Sequence, residues 1–583
     1  ENDESLTLLA ILNKTLTPMG YRKLKEWLRT PVNDIVELNE RLNAIEELLN
    51  NRDLHTQLRN QLKNMCDLER LTIKISTADI TPSEIILIKE ALNKIANIQS
   101  LLNNCKSGYL LKISLSLASS IQNTTENCVQ SIKRLIEQYI DLNQDNNWYI
   151  KKDVESELDN LKEFFVHANQ WLNNFIEKER QKTGIPALKI GFNDVFGYYI
   201  EVTRLKAHEL PSYYIRKQTL KNVERYITAE LKEFEAKFIR GKEKIEQLEK
   251  QIYKNFLAQL KKYCSVLHNL CENIALLDVV SSHCQVALEL NWTKPVLTDK
   301  NIIQIKNSRH PILEKLLGKK FIPNDIDINP HNFFIIITGP NMAGKSTLIK
   351  QVALIVFLAH TGSFVPAQYA EIGLVDAIFS RLTTRDMITT GKSTFLVEML
   401  ECAQILKLAT HKSFVIMDEI GKGTSTYDGL ALAVSIINYL VEKIKCRTLF
   451  STHYHELVVL ENQLNGLVNY YMSVYEWNNE LVFLYQLKKG AIDRSFGIYV
   501  AKMAGIPDTV INNAKVFLSR IERKTLKEFD TLLADFGKVQ LPLFPQNFEK
   551  IITQLKKINY NNITPMEALV KLKELKDMLD EKI

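Results

Sequence analysis

The feature that most limits the fold is a glycine loop, Gly339-Pro340-Asn341-Met342-Ala343-Gly344-Lys345-Ser346-Thr347, set between an apolar run and a helical one. It fits G-x-x-x-x-G-K-[ST], and the run before it, Phe333 to Thr338, has the composition of a buried strand. Such a loop needs a strand that ends inside a sheet and a helix that starts at once. Its glycines let backbone N–H groups surround a phosphate at the helix N-terminus. Lys345 then reaches the β and γ phosphates of a nucleotide, and the Ser346 hydroxyl suits a magnesium ion.

A second strand, Ser413 to Met417, runs into two acids, Asp418 and Glu419. Asp418 at the strand end suits the magnesium shell. Glu419, one residue further, suits a general base that orients an attacking water. A third strand, Thr448 to Ser451, leads through Thr452 to His453, which this order of elements brings near the γ-phosphate. The His453, His455 and Glu456 cluster lacks the helical i, i+4 spacing of zinc proteases, so it is not read as a metal site. From about Asn291 strands and helices alternate, which predicts an α/β domain with a largely parallel sheet.

The rest of the chain follows other periods. A length of 583 residues exceeds what one hydrophobic core supports and predicts several domains. Residues 1–145 carry leucine and isoleucine at three- and four-residue spacing, the mark of an all-α domain. Residues 153–180 predict one long helix. From Thr183 to about Val202 glycines punctuate aromatic and β-branched residues, which is strand chemistry. Then Ile245, Leu248, Ile252, Phe256, Leu260, Tyr263, Leu267, Leu270, Ile274 and Leu277 form one apolar seam. Helix out, β tip and helix back describe an arm projecting from a body. After about Gly490 the chain is helical again, and no internal repeat is seen.

Net charge is +6, with a pI near 8.6, which permits a nucleic-acid partner without requiring one. The eight cysteines form no C-x-x-C pair and read as buried thiols of a reducing cytosol. The longest apolar run, Val352 to Ala359, is far short of a membrane span.

GPNMAGKST (339–347), DEIGKGTSTYDGLALA (418–433) and STHYHEL (451–457) together resemble the MutS family. So do FGYYIEVT (196–203), QTLKNVERYI (218–227), SRHP (308–311) and RSFGIYVAKMAGIP (494–507). The resemblance runs from about residue 5 to the C-terminus. It implies a multidomain α and α/β fold: an all-α core with long lever helices, a β-rich clamp tip, an ABC-type P-loop ATPase domain and a C-terminal helix-turn-helix. In these terms residues 1–172 are helical core and lever, 173–236 clamp, and 237–294 the returning helices. Residues 295–490 are ATPase, 491–525 a helix-turn-helix used in dimerisation, and 526–583 a linker with C-terminal helices.

The same resemblance implies ATP as nucleotide, Mg²⁺ as cofactor and a homodimer with two composite sites. Ser393 matches a serine that reaches the partner's γ-phosphate, while Phe321 and Tyr485 match two rings that sandwich adenine. Asn341 adds a phosphate contact. Arg216, Lys217, Lys221 and Arg225 match a clamp that holds double-stranded DNA by its backbone. Gln540, Leu541, Leu543 and Phe544, with Pro542 among them, resemble a peptide that docks on the replication sliding clamp. The helix from Thr564 to Leu569 resembles one linked to higher oligomers. A MutL-type repair partner and a bacterial cytoplasmic location are further implications. Family members that find mismatches carry a Phe-x-Glu wedge domain and a connector, and neither precedes Glu1. The chain is therefore expected to hydrolyse ATP and clamp DNA without telling mismatched from paired duplex; the alternative is a relative that embraces branched or recombining DNA.

Overall fold

The computed structural model describes residues 6–121, 127–141, 148–193, 197–382, 394–477, 480–491, 497–516, 518, 566 and 569–573. The chain opens with α1 (Leu8–Leu12), α2 (Pro18–Arg29), α3 (Ile35–Asn50), α4 (Arg52–Leu62), α5 (Leu68–Thr77), α6 (Pro82–Leu102), α7 (Gly108–Ile121) and α8 (Cys128–Tyr139). Local chemistry starts several of them. Thr17 caps α2 by accepting from the Gly20 N–H at 2.9 Å, with Pro18 in the first turn. Thr81 and Glu84 form a reciprocal capping box on α6.

Residues 153–180 do not form one helix. They divide into α9 (Ser156–Val166) and α10 (Ala168–Thr183), with His167 between them at φ −88°, ψ −1°. The break separates two cores. Leu158 packs with Ile150 and Ile245, whereas Leu172, Phe175 and Ile176 join the core under the β tip. Apolar spacing is alike on both sides, so a one-residue break leaves no trace in it.

The tip is an antiparallel sheet of β1 (Lys189–Asn193), β2 (Gly197–Thr203), β3 (Ile215–Thr219) and β4 (Val223–Ile227), in the order β1-β2-β4-β3. It rests on α10 and on α11 (Ala229–Leu260), where Trp171 stacks flat on Phe234 at 4.0 Å between centroids. At 1.5 Å per residue α11 is about 48 Å long. It passes through a short 3-10 turn, Lys261–Tyr263, into α12 (Cys264–Leu290).

The apolar seam therefore serves two purposes. Along α11 it faces one side of a lever. In α12 every residue from Leu277 to Cys284 is buried, because α2, α3, α5 and α7 surround it. Two polar residues of that stretch, Asp278 and Ser282, tie it to α1 and to the entry of α2. Asp278 accepts from the Leu16 N–H at 3.0 Å, the Thr17 N–H at 2.8 Å and the Thr17 hydroxyl at 2.7 Å. Ser282 donates to the Leu12 carbonyl at 2.7 Å.

The α/β part holds β5 (Val296–Thr298), β6 (Ile303–Ser308), α13 (Pro311–Leu317), β7 (Asn324–Ile328), β8 (Phe334–Thr338), α14 (Lys345–His360), β9 (Tyr369–Gly373), β10 (Ile378–Arg381), α15 (Thr394–Leu408), β11 (Phe414–Asp418), α16 (Thr426–Tyr439), β12 (Arg447–Ser451), β13 (Leu467–Trp477) and β14 (Glu480–Lys489). One sheet runs β10-β11-β12-β8-β13-β14, parallel except for the β13–β14 hairpin. A smaller one runs β5-β9-β6-β7. Every residue of β8, β11 and β12 is buried, as covered parallel strands require. Arg447 joins the two sheets from within, donating to the Gly373 carbonyl at 2.7 Å and the Leu374 carbonyl at 2.8 Å.

The helical and α/β parts meet at the C-terminal end of α14. The Val32 N–H donates to the His360 carbonyl at 2.9 Å, and Arg41 donates to the Thr361 carbonyl at 3.1 Å. A single buried apolar cluster extends across this joint from Ile11 to Met472. Beyond β14, α17 (Gly497–Met503) and a second helical stretch, 508–516, flank a turn at Gly505, φ 85°.

Candidate active site

The glycine loop leaves β8 in the middle of the large sheet, where topology places ligands outside the carboxyl ends of strands. Gly339 has φ 131° and a Cβ there would lie 3.3 Å from the Met472 carbonyl oxygen; Gly344 has φ 95° and caps α14 without a side chain. The first-turn N–H groups of α14 thus face the loop, and the helix dipole favours an anion. Lys345 is 4% exposed. Its ammonium donates to the loop carbonyls of Gly339 at 2.6 Å and Pro340 at 3.1 Å. Burial pushes its pKa down, opposed by the charges of Glu419 and Asp418.

β11 and β12 bring the acids alongside. Asp418 pairs with Ser451 across the strands, is 3% exposed and accepts a hydrogen bond from the Ser451 hydroxyl. Among the described residues no cation pairs with this buried carboxylate, which is the environment a hard divalent ion would complete. With Ser346 it would supply two oxygen ligands, and Mg²⁺ usually keeps waters and substrate phosphate as the others. Glu419 stands in the left-handed region at φ 52°, held by its N–H to the Ser451 carbonyl at 2.9 Å, and its side chain pairs with Lys422. His453 leans on Tyr454 at 4.2 Å, and its Nδ1 is buried without a partner among the described residues. Burial, with Lys422 nearby, pushes its pKa down and keeps the ring neutral.

Beside the loop lies a cavity of about 400 Å³ that contains Phe321, Tyr485, Gly344 and Thr347 together with Asn324 and Gln351. Phe321, from the turn before β7, and Tyr485, from β14, come from segments far apart in sequence. Tyr485 has φ 53°. Asn324 holds this conformation: its amide donates to the Tyr485 carbonyl at 2.9 Å and accepts from the Leu487 N–H at 2.6 Å. Behind it, Gln351 donates to the Ser308 hydroxyl at 2.6 Å, which donates to the Asn324 carbonyl at 2.5 Å. Sequence reading assigned none of these three a role. Gln351, the one amide of α14 and buried although it follows Lys350 at the head of an apolar run, was the available signal.

On the tip, Arg216, Lys217 and Lys221 are exposed. Arg225 is placed differently. Its guanidinium lies 3.3 Å from Glu201, donates to Gln218 at 3.1 Å and stacks over Tyr199, so it braces the sheet. Ser393 and the peptide from Gln540 to Phe544 lie outside the described residues, as does most of the segment from Thr564 to Leu569. Among the described residues no helix is long and apolar enough to cross a membrane.

Sequence profiles of known families match along the chain: MutS domain III over residues 1–283 and MutS domain V over residues 335–522. The chain is 42% identical over 98% of its length to a DNA mismatch repair protein MutS of Carboxydothermus hydrogenoformans, covering 68% of that protein. It is 42% identical over 98% of its length to one of Caldanaerobacter subterraneus, covering 65% of it, and 39% identical over 99% to one of Persephonella marina, covering 67%. The chain thus spans about two thirds of the length of these relatives. A P-loop, paired strand-end acids and a β-tipped lever, together with this identity along nearly the whole chain, mean that it belongs to the MutS family of DNA mismatch repair proteins.

Proposed function

We infer that the chain is an ATP-hydrolysing lever and clamp of mismatch repair, in which nucleotide state at the P-loop moves the β-tipped arm on DNA. The observation that carries this reading is buried Lys345 facing Asp418 and Glu419 beside the cavity of Phe321 and Tyr485. In that arrangement Lys345 and the α14 N–H groups bind the phosphates, and Phe321 and Tyr485 hold adenine. Glu419 orients water and accepts its proton, and neutral His453 offers a hydrogen bond near the terminal phosphate. Ser346 and Asp418 would hold Mg²⁺, which offsets phosphate charge when bound. A homodimer would add Ser393 from across the interface. Arg216, Lys217 and Lys221 would meet DNA phosphates without reading sequence. A MutL-type protein, and through residues 540–544 a sliding clamp, are the partners this reading carries.

Steady-state ATPase measured against protein concentration, with matched and with mismatched duplex, tests it. Specific activity should rise with concentration, Glu419→Gln should keep nucleotide binding while turnover falls about 100-fold or more, and duplex DNA should change the rate. Unchanged turnover in Glu419→Gln would refute the assigned base, and a rate indifferent to both duplexes would refute the coupling of the site to the arm.

A further inference from the structure

A buried cluster that the nucleotide reading does not use joins α15 to the backbone just beyond Glu419. Glu398, one turn into α15, is 4% exposed. One of its carboxylate oxygens accepts from the Gly421 N–H at 2.6 Å, and the other lies 3.3 Å from the Arg381 guanidinium. Arg381, at the end of β10 and 6% exposed, lies 3.1 Å from Glu401 as well. Tyr454, next to His453, donates its hydroxyl to the Gly421 carbonyl at 3.2 Å. Both backbone groups of Gly421 are therefore held by side chains from other elements.

Packing around the joint leaves no room for a side chain at Gly421 or Gly423. Gly421 has φ 92°, and a Cβ there would meet the Gly429 Cα at 2.7 Å; a Cβ on Gly423 would meet Phe395 of α15 at 2.9 Å. A buried carboxylate carries a large desolvation cost unless charge and hydrogen bonds offset it. Here Arg381 supplies the charge and Gly421 the hydrogen bond.

We propose that Glu398 is a positioning residue for hydrolysis: by fixing Gly421 against α15 it sets the loop that carries Glu419, two residues earlier, and so aims that carboxylate. Arg381 orients Glu398 through their ion pair, and Tyr454 completes the grip from the segment after β12 that also carries His453. The inference rests on the ATPase reading and on Glu419 as its base. Because α15 starts at Thr394, a shift of this helix would reach Glu419 through one hydrogen bond.

The test compares Glu398→Ala, Glu398→Gln and Tyr454→Phe with the parent chain, reading fluorescent ADP affinity by titration and kcat by phosphate release. Glu398→Ala should lower kcat about 30-fold and Tyr454→Phe about 5-fold, each with ADP affinity within about twofold of the parent. Glu398→Gln keeps an acceptor for the Gly421 N–H and should recover most of the lost rate. Equal loss of affinity and kcat, or no recovery by Gln, would overturn the proposal. Should Glu398→Ala fail to fold, an unchanged kcat in Tyr454→Phe overturns it and a fall in kcat alone supports it. Glu419→Gln run alongside separates the two ideas: if it still turns over, the ATPase reading has failed, whatever Glu398 does.

Discussion

Asn324 makes the most direct prediction at the level of single residues. Its amide satisfies the Tyr485 carbonyl and the Leu487 N–H, which flank Gln486, and so supports the uncommon positive φ of Tyr485 within β14. Asn324→Ala should weaken ATP binding about 5- to 10-fold and leave kcat nearly unchanged, since it disturbs the adenine side and not the phosphates. A nucleotide titration checks this; a fall in kcat at constant affinity would assign Asn324 to the wrong end of the site. Lys345, Asp418 and Glu419 were legible from spacing alone because covalent neighbours set their geometry. Asn324 was not, because its partners lie more than 160 residues away.

Between elements, the anchor on α12 is the feature with the largest consequence. Asp278 is fully buried and takes hydrogen bonds from Leu16 and Thr17 at the entry to α2. Burial pushes its pKa up, and those bonds pull it back. Asp278→Ala would leave these donors unpaired and should cost about 3 kcal/mol, seen as a lower urea midpoint, with Asp278→Asn intermediate. Equal stability of the alanine variant would show that water replaces the carboxylate. The seam of Ile245 to Leu277 announced a long helix here. It did not announce that half of the length is lever and half is the axle of a helical bundle, because an apolar stripe reads alike in both settings.

For the molecule as a whole, buried histidines set the response to acid. His283, stacked on Trp27 and with neither ring nitrogen bonded among the described residues, is pushed down to about 3 from 6.5 by burial and then by Arg41. His310, the cap of α13, is pushed down to about 4 by burial and then by Lys350. The unfolded chain therefore binds protons that the folded chain refuses, from about pH 6.5 down to the folded values. The contribution of these histidines should be flat above about pH 7, and stability should fall on acidification by up to about 1.4 kcal/mol per pH unit for each group. His55 and His360, also lowered by burial, act in the same direction. Urea midpoints between pH 7.5 and 5 check this, and His283→Phe should flatten the slope; an unchanged slope would remove His283 from the account.

The sequence by itself determined the phosphate loop, the strand-end acids, the mixed α and α/β class and the family likeness, since all of these are written in short spacings and local periodicity. Tertiary structure decided which of the basic tip residues stay exposed, with Arg225 drawn into the sheet by Glu201, Gln218 and Tyr199. It also decided that α9 and α10 part at His167, that Arg447 bridges two sheets, and that Glu398 reaches Gly421. The reason is common to all of these. A buried polar group needs a partner, the partner can come from anywhere in the chain, and no period of 2 or 3.6 residues records where it will be found.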